Sequence, residues 1–224
     1  MTSRKSISAY ISTPLISLLL LYAAAAEAQE TEKDEGKWLT DVEVSVDAVG
    51  PAMLAFGSYG QYEAAVRLNL RGKYFPVVEV GLGKCDHEED VTSLKYNTSA
   101  PYFKVGCDFN FMKNKHDIYR IYGGLRYAYT SFKYDLEHPG VEDPVWGGTY
   151  EYAVYDSKAS YHWVEVVAGV QAKISGPFHL GWSVRYRTRV NADGGDMNKA
   201  WYVPGFGTWG RTKFGGTFNI IIVI

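Results

Sequence analysis

"ASYHWVE" (159–165) sets a hydroxyl, an imidazole and a carboxylate close together: Ser160, His162 and Glu165. A set of this kind could run nucleophilic acyl transfer, the imidazole taking the hydroxyl proton and the carboxylate orienting the ring. Strand spacing argues against it. At period two Ser160 and His162 share a face and Glu165 takes the other. His138, in "DLEHPGVEDP" (135–144), is a second imidazole without an adjacent nucleophile. Ser160, His162 and His138 are the candidate catalytic residues, and no catalytic set is expected.

Metal chemistry would fall on "CDHEED" (85–90), where His87 stands among Asp86, Glu88, Glu89 and Asp90. Oxygen-rich loops can hold Ca²⁺, but these ligands follow no defined spacing. The plainer reading is a solvated acidic loop, with no metal and no cofactor. Cys85 and Cys107 are the two cysteines. With Cys85 at a strand end and Cys107 mid-strand, they fall about 20 Å apart at roughly 3.3 Å per residue. That is beyond the ~7 Å reach of a disulfide.

A third cluster is electrostatic. In "GWSVRYRTRV" (181–190) Trp182, Val184, Tyr186 and Val190 share one face, and Ser183, Arg185, Arg187 and Arg189 the other. Glu43, Asp47, Glu63, Arg67, Glu79, Lys104, Asp108, Arg120, Arg126, Glu165 and Lys173 fall on the matching face of other segments. Small residues (Gly81, Gly106, Gly124, Gly169, Gly181) are interleaved with them. Charges of both signs on one face must pair, because a buried unpaired charge is very costly.

The elements that position these groups are eight segments of period-two alternation: about 40–49, 61–71, 74–84, 101–111, 118–131, 160–174, 178–190 and 212–223. Most reach the roughly 9–11 residues that a tilted strand needs to cross a bilayer. Tight connections ("RGK", "MKNKH", "SGP") alternate with long ones at 50–60, 85–100, 132–159 and 191–211. Even strand number and alternating loop length are the rhythm of an outer-membrane barrel, with short periplasmic turns and long outer loops. A further alternating piece at 149–155 reads as an outer extension of strand six or as an added strand in a ten-strand barrel. The rhythm favours eight.

The opposite face carries no charge: Val42, Val44, Val46; Leu68, Leu70; Phe103, Val105; Ile121, Leu125; Val166, Val170; Trp182, Val184; Phe218, Ile220, Ile222. A charge there would cost about 2–4 kcal/mol at mid-bilayer. Aromatics gather toward strand ends, Phe75, Phe109, Phe111, Tyr119 and Phe178 at the short turns, and Tyr62, Tyr102, Phe103, Tyr127, Tyr129 and Tyr161 at the long loops. They are expected to form two interfacial belts. Period two alone does not say which face is inside. A soluble periplasmic ligand-binding barrel would put the apolar face inward.

Export is written at the N-terminus. Arg4 and Lys5 precede the apolar "LISLLLLYAAAA" (15–26), and Ala26-Glu27-Ala28 gives a small-x-small cleavage pattern. Residues 1–28 are expected to be a signal peptide, 29–39 a disordered lead-in, and 40–224 the barrel. Without Arg4, Lys5 and Glu27 the chain holds 21 basic and 24 acidic residues, a formal charge of −3. Nothing in that balance suggests nucleic acid as a partner. Barrel-assembly machinery and outer-membrane lipids are the expected partners.

"KYFPVVEVGLG" (73–83), "SAPYFKVGCDFN" (99–110) and "YGGLRYAYTSFKYD" (122–135) resemble an outer-membrane β-barrel family of unknown function found in Bacteroidetes. "EDPVWGG" (142–148), "GWSVRYRTR" (181–189) and "WYVPGFG" (201–207) extend the resemblance across most of 40–224. It implies an outer-membrane, up-and-down barrel and no substrate. The chain departs from outer-membrane barrels at large in its last residue, since "FNIIIVI" ends in Ile224 where an aromatic usually stands.

The sequence therefore reads as all-β, an eight-stranded antiparallel transmembrane barrel with a charge-filled lumen. Its expected role is structural or surface-binding. Candidate grips are the loop aromatics Trp146, Tyr150, Tyr152, Trp201, Tyr202, Phe206 and Trp209, which could equally self-pack as a cap over the mouth. An outer-leaflet lipid-modifying enzyme and a narrow ion-permeable channel are the alternatives.

Overall fold

The computed structural model describes residues 38–90, 92–113, 118–142, 147 and 149–224; the side chains of residues 139, 141, 142 and 149–151 are outside the description. The export signal and nearly all of the lead-in lie outside the described residues, as do 114–116 of the "MKNKH" turn and residue 117 after it.

Eight strands close into one ring: β1 (Leu39–Asp47), β2 (Tyr59–Leu70), β3 (Tyr74–Glu88), β4 (Lys95–Asn110), β5 (Tyr119–Glu142), β6 (Thr149–Ser175), β7 (Phe178–Asp193) and β10 (Thr212–Val223). All pairs are antiparallel; β1 to β7 pair in sequence order, β7 pairs next with β10, and β10 with β1 closes the barrel. A two-stranded hairpin, β8 (Tyr202–Val203) and β9 (Gly207–Thr208), sits apart from the wall. The tight β2–β3 turn follows from two successive left-handed residues, Arg71 (φ 55°) and Gly72 (φ 64°). They turn the chain tightly enough for the Lys73 amide to reach the Leu70 carbonyl at 3.1 Å, with Leu70 and Tyr74 as the last pair.

Alternation decides which face is inside. Trp182 is 64% exposed and Phe214 78%, whereas Glu79, Lys104 and Glu165 are wholly buried. The apolar face is therefore the outer wall and the charged face fills the tube, the arrangement of a membrane-spanning barrel. A soluble barrel with an apolar pocket is overturned by the same observation.

Several elements differ from the sequence reading. Strands β5 and β6 run far past 131 and 160 as a tall hairpin, so the 149–155 piece is the start of β6 and most of the anticipated 132–159 loop is paired strand. Strands β3 and β4 likewise stay paired up to Glu88 and Lys95. The 50–60 connection contains an eight-residue helix, α1 (Val49–Phe56). Asp47 anchors its first turn by accepting the amides of Val49 and Gly50 at 3.1 and 2.9 Å. Three of the aromatics assigned to interfacial belts, Phe75, Tyr102 and Tyr161, are buried inside. Their strand parity is that of the lumen face: Phe75 and Glu79, Tyr102 and Lys104, Tyr161 and Glu165 are each separated by an even number of residues.

Candidate functional site

The lumen is built in layers. Nearest the short turns, Arg120 of β5 donates from Nη1 and Nη2 to both carboxylate oxygens of Glu43 at 2.7 and 2.8 Å. Gln171 joins that pair, accepting from Arg120 and donating to Nδ1 of His179 at 3.0 Å. Above it, Arg67 and Arg126 both reach Asp108, at 3.2 and 2.6 Å. Glu79 forms the hub, with Arg126, Arg185, Lys104 and Arg67 within 3.1, 2.8, 3.7 and 4.0 Å. Higher still, Lys104 bridges Glu63 and Glu165 at 2.9 and 3.1 Å, and Arg187 reaches Glu165 at 3.1 Å.

Small residues make this density possible. A Cβ at Gly106 or Gly124 would lie 2.8 Å from Arg126 Cδ or 2.0 Å from Asp108 Oδ1. Among the described residues, six cations (Arg67, Lys104, Arg120, Arg126, Arg185, Arg187) share this space with Glu43, Glu63, Glu79, Asp108 and Glu165. At this level the interior is nearly neutral and densely paired.

Three members assigned to this network from sequence stand outside it. Lys173 has the right parity but lies at the short-turn end, past the last charged layer, and is exposed. Arg189 lies at a register shift: Trp163 faces Arg189 and His162 faces Asn191, so β7 carries an extra residue. This bulge re-aims the chain, and the Arg189 guanidinium stands 5.9 Å from the Trp209 ring centre. Asp47 is buried without an ion pair among the described residues, capping α1 instead.

The mouth is closed by the 191–211 segment. Tyr202 and Phe206 are completely buried. Phe206 packs on Tyr161 and Trp163 with ring centres 4.7 and 5.8 Å apart. Tyr202 donates to the Gly60 carbonyl at 3.0 Å, and its own carbonyl accepts from Tyr96 at 2.8 Å. Burial pushes the Tyr202 phenol well above its ordinary range. Trp201 stacks on His87 with centres 3.9 Å apart, and Trp209 packs edge-on to Tyr161. These four loop aromatics therefore point into the barrel as a plug, the self-packed cap that the sequence offered beside the outward grip. Tyr152, on the tall hairpin, is exposed and donates to the Met197 sulfur at 2.7 Å. Trp146 and the side chain of Tyr150 lie outside the described residues.

The candidate catalytic residues are not brought together. His162 points outward, its Nδ1 2.7 Å from the Tyr127 hydroxyl and its ring against Tyr129, while Glu165 is buried inside. His138 accepts the Gly140 amide at 3.1 Å, a local turn contact. The acidic stretch is likewise split by parity: His87 turns inward to Trp201 and the Ser58 hydroxyl, whereas Asp86, Glu88 and Asp90 are exposed. Among the described residues no group of three or more His, Cys, Asp or Glu could hold a metal ion. Cys85 and Cys107 are both free thiols.

Comparison with known proteins finds structural likenesses at low identity. The N-terminal β-barrel domain of Pseudomonas aeruginosa OprF is 8% identical, with a TM-score of 0.41, over 84% of this chain and 100% of that one. Ail, the attachment invasion locus protein of Yersinia pestis, solved with the heparin analogue sucrose octasulfate, is 12% identical, with a TM-score of 0.38, over 82% and 96%. A major outer membrane protein from Thermus thermophilus is 10% identical, with a TM-score of 0.42, over 82% and 98%. No curated protein matches the sequence. The family model described as Domain of unknown function (DUF6048) matches residues 6–223, nearly the whole chain, and the chain belongs to that family.

Proposed function

We propose that the protein is a non-conducting outer-membrane barrel, inserted after removal of residues 1–28, whose role is structural or adhesive. The observation that carries this is the filled interior. A layered ion-pair network, then a folded-in aromatic loop, occupies the tube from one end to the other. Eight strands leave room for little more than such side chains.

Any surface contact then falls to the tall β5–β6 hairpin, since the other aromatic loop faces inward. Its exposed Tyr152 and Tyr155 stand well beyond the apolar belt. Assembly machinery and membrane lipids are the partners this reading requires. Purified protein reconstituted in a planar bilayer tests it. Flat current, together with a gel band that shifts only on boiling, supports the reading; stepwise single-channel openings would overturn it in favour of a narrow channel.

A further inference from the structure

The barrel seam is zipped over only half of its height. Strand β1 pairs with β10 from Glu43↔Val223 to Asp47↔Asn219; Val42 and Ile224 exchange two bonds below this run, and the Ala48 amide donates to the Phe218 carbonyl above it. Strand β10 nevertheless continues upward to Thr212, paired only with β7 on its other side. On the facing side, β2 meets β1 no higher than Val46↔Ala64, so Tyr59–Glu63 also lack a β1 neighbour. Asp47 ends the zipper: besides the two α1 amides, its carboxylate accepts the Phe218 amide at 3.1 Å. Toward the long loops from that point, the edges of β10 and β2 diverge.

Helix α1 fills the gap on one side only. It is locked onto β2, where a Cβ at Gly60 would lie 2.6 Å from the Gly50 carbonyl and 2.7 Å from Leu54. No residue of α1 is charged, and Met53 and Phe56 are exposed. Between α1 and β10 a cavity of about 980 Å³ remains, bounded by Val49, Gly50 and Met53 on one side and Gly215–Phe218 on the other. The plug residues Tyr202 and Phe206 form its back wall.

The cavity continues onto the outer wall. The strand register aligns Gly123, Ala168, Val184 and Gly216 in one row across β5, β6, β7 and β10. Bulkier rows flank it: Leu125, Val166, Tyr186 and Phe214 above, Ile121, Val170, Trp182 and Phe218 below. The Phe111 ring lies over Gly123, 2.8 Å from where a Cβ would stand, so the open trough runs from Ala168 to Gly216, about 10 Å with strands roughly 4.8 Å apart. It opens at Gly216 into the unzipped seam and lies within the charge-free belt.

Charge marks the upper end. Lys213 points inward at the cavity's upper end, half-buried, and has no carboxylate partner among the described residues. The other lining charges are held already: Asp47 by three amides, and Arg187 by Glu165 and the Phe206 carbonyl.

We infer that the open upper seam between α1 and β10 is a lateral binding site for an acyl chain with an acidic head, entered from the bilayer. Lys213 takes the acid near the rim. The chain descends between Met53 and the glycine-bearing edge of β10 and lies in the Gly216 trough. Hydrocarbon is the medium this opening faces at the level of the trough.

The test uses the refolded barrel in phosphatidylcholine nanodiscs with a photoactivatable diazirine palmitate and its neutral methyl ester, adducts being mapped by peptide mass spectrometry. Adducts are expected to concentrate on Met53 and residues 213–218, with the acid labelling more strongly than the ester. Lys213→Gln should remove that preference. Gly216→Trp should reduce labelling about tenfold, the equivalent of 1.4 kcal/mol. A built Cβ at Gly216 meets only the Ser183 carbonyl, at 3.7 Å, so the variant has room to fold; heat-modifiable migration checks that it does. Val78→Trp, on the lipid face of β3, should leave labelling unchanged. Adducts spread round the belt, equal labelling by acid and ester, or insensitivity to Gly216→Trp in a folded barrel would each overturn the inference.

Discussion

Arg185 of β7 and Glu79 of β3 stand on opposite sides of the ring and meet across the lumen at 2.8 Å. Neither strand touches the other, so the contact ties together walls that backbone hydrogen bonds join only the long way round. Glu79 gathers three further cations, Arg126, Lys104 and Arg67. Its replacement by glutamine keeps the volume but leaves buried positive charge uncompensated. Glu79→Gln is expected to cost about 3–5 kcal/mol, the range for breaking a buried pair from one side. Glu79→Met with Arg185→Met should cost less than Glu79→Gln alone. Denaturant unfolding followed by boiled and unboiled gel mobility measures both, and equal midpoints for wild type and Glu79→Gln would refute the hub.

Tyr102 depends on a glycine in the next strand. A Cβ at Gly81 would sit 2.2 Å from Tyr102 Cζ, and the Tyr102 hydroxyl donates to Glu63 at 2.7 Å. Gly81→Ala therefore displaces the ring and strips a partner from a carboxylate that also serves Lys104 and Arg185. The expected loss is roughly 1–3 kcal/mol, the cost of a buried group left unsatisfied. In a Tyr102→Ala background the same substitution should cost almost nothing, since coupled neighbours are non-additive. A full penalty in both backgrounds would place the strain elsewhere.

The eight strands and their facing were legible because period two, strand length and loop rhythm all report the same geometry. Lumen parity was legible too, and it placed Arg185 and Glu79 on the same inner surface. Height along the axis was not: Lys173 and Arg189 share that parity, but one lies past the last charged layer and the other at a bulge that alternation does not announce. The direction of the 191–211 loop was also hidden, because loop aromatics look alike whether they reach outward or plug a mouth. Two glycines carried a signal. A Cβ at Gly83 would meet Pro204 at 2.7 Å, and one at Gly205 (φ 80°) would meet the Tyr102 ring at 2.5 Å, so both are shaped by the plug. Helix α1 gave no warning, being short, apolar and set where a loop was due.

The cysteines should never bridge. Register places Thr98 beside Cys85, and Cys107 lies nine residues further along β4, about 30 Å at roughly 3.3 Å per residue. Cys107 faces lipid and Cys85 is buried. Non-reducing and reducing gels of the denatured, thiol-blocked protein should show one and the same monomer mobility. A faster band lost on reduction would mean that the β3–β4 register is wrong.

At the tall hairpin, charge and backbone strain meet in one residue. Asp156 adopts φ 56°, at a bulge where β6 carries Tyr155 and Asp156 opposite Asp135 alone. Its amide donates to Asp135 Oδ1 at 2.8 Å, and its carboxylate accepts from Lys133 Nζ at 2.8 Å. That ammonium holds the Asp156 carboxyl below its ordinary value of 3.8. A depressed folded value means that the contact's contribution is complete above the unfolded value and fades as pH falls through the lower one. The hairpin's protection should therefore stay level from neutral pH to about 4 and decline below it. Lys133→Met should abolish that decline. Asp156→Gly should lose the acid dependence yet keep the hairpin paired, because glycine takes a left-handed backbone without penalty. Hydrogen exchange at the Tyr134–Ser157 and Leu136–Val154 pairs flanking the bulge follows all three, and exchange that accelerates between pH 7 and 5 beyond its intrinsic chemistry would assign the sensitivity to another group.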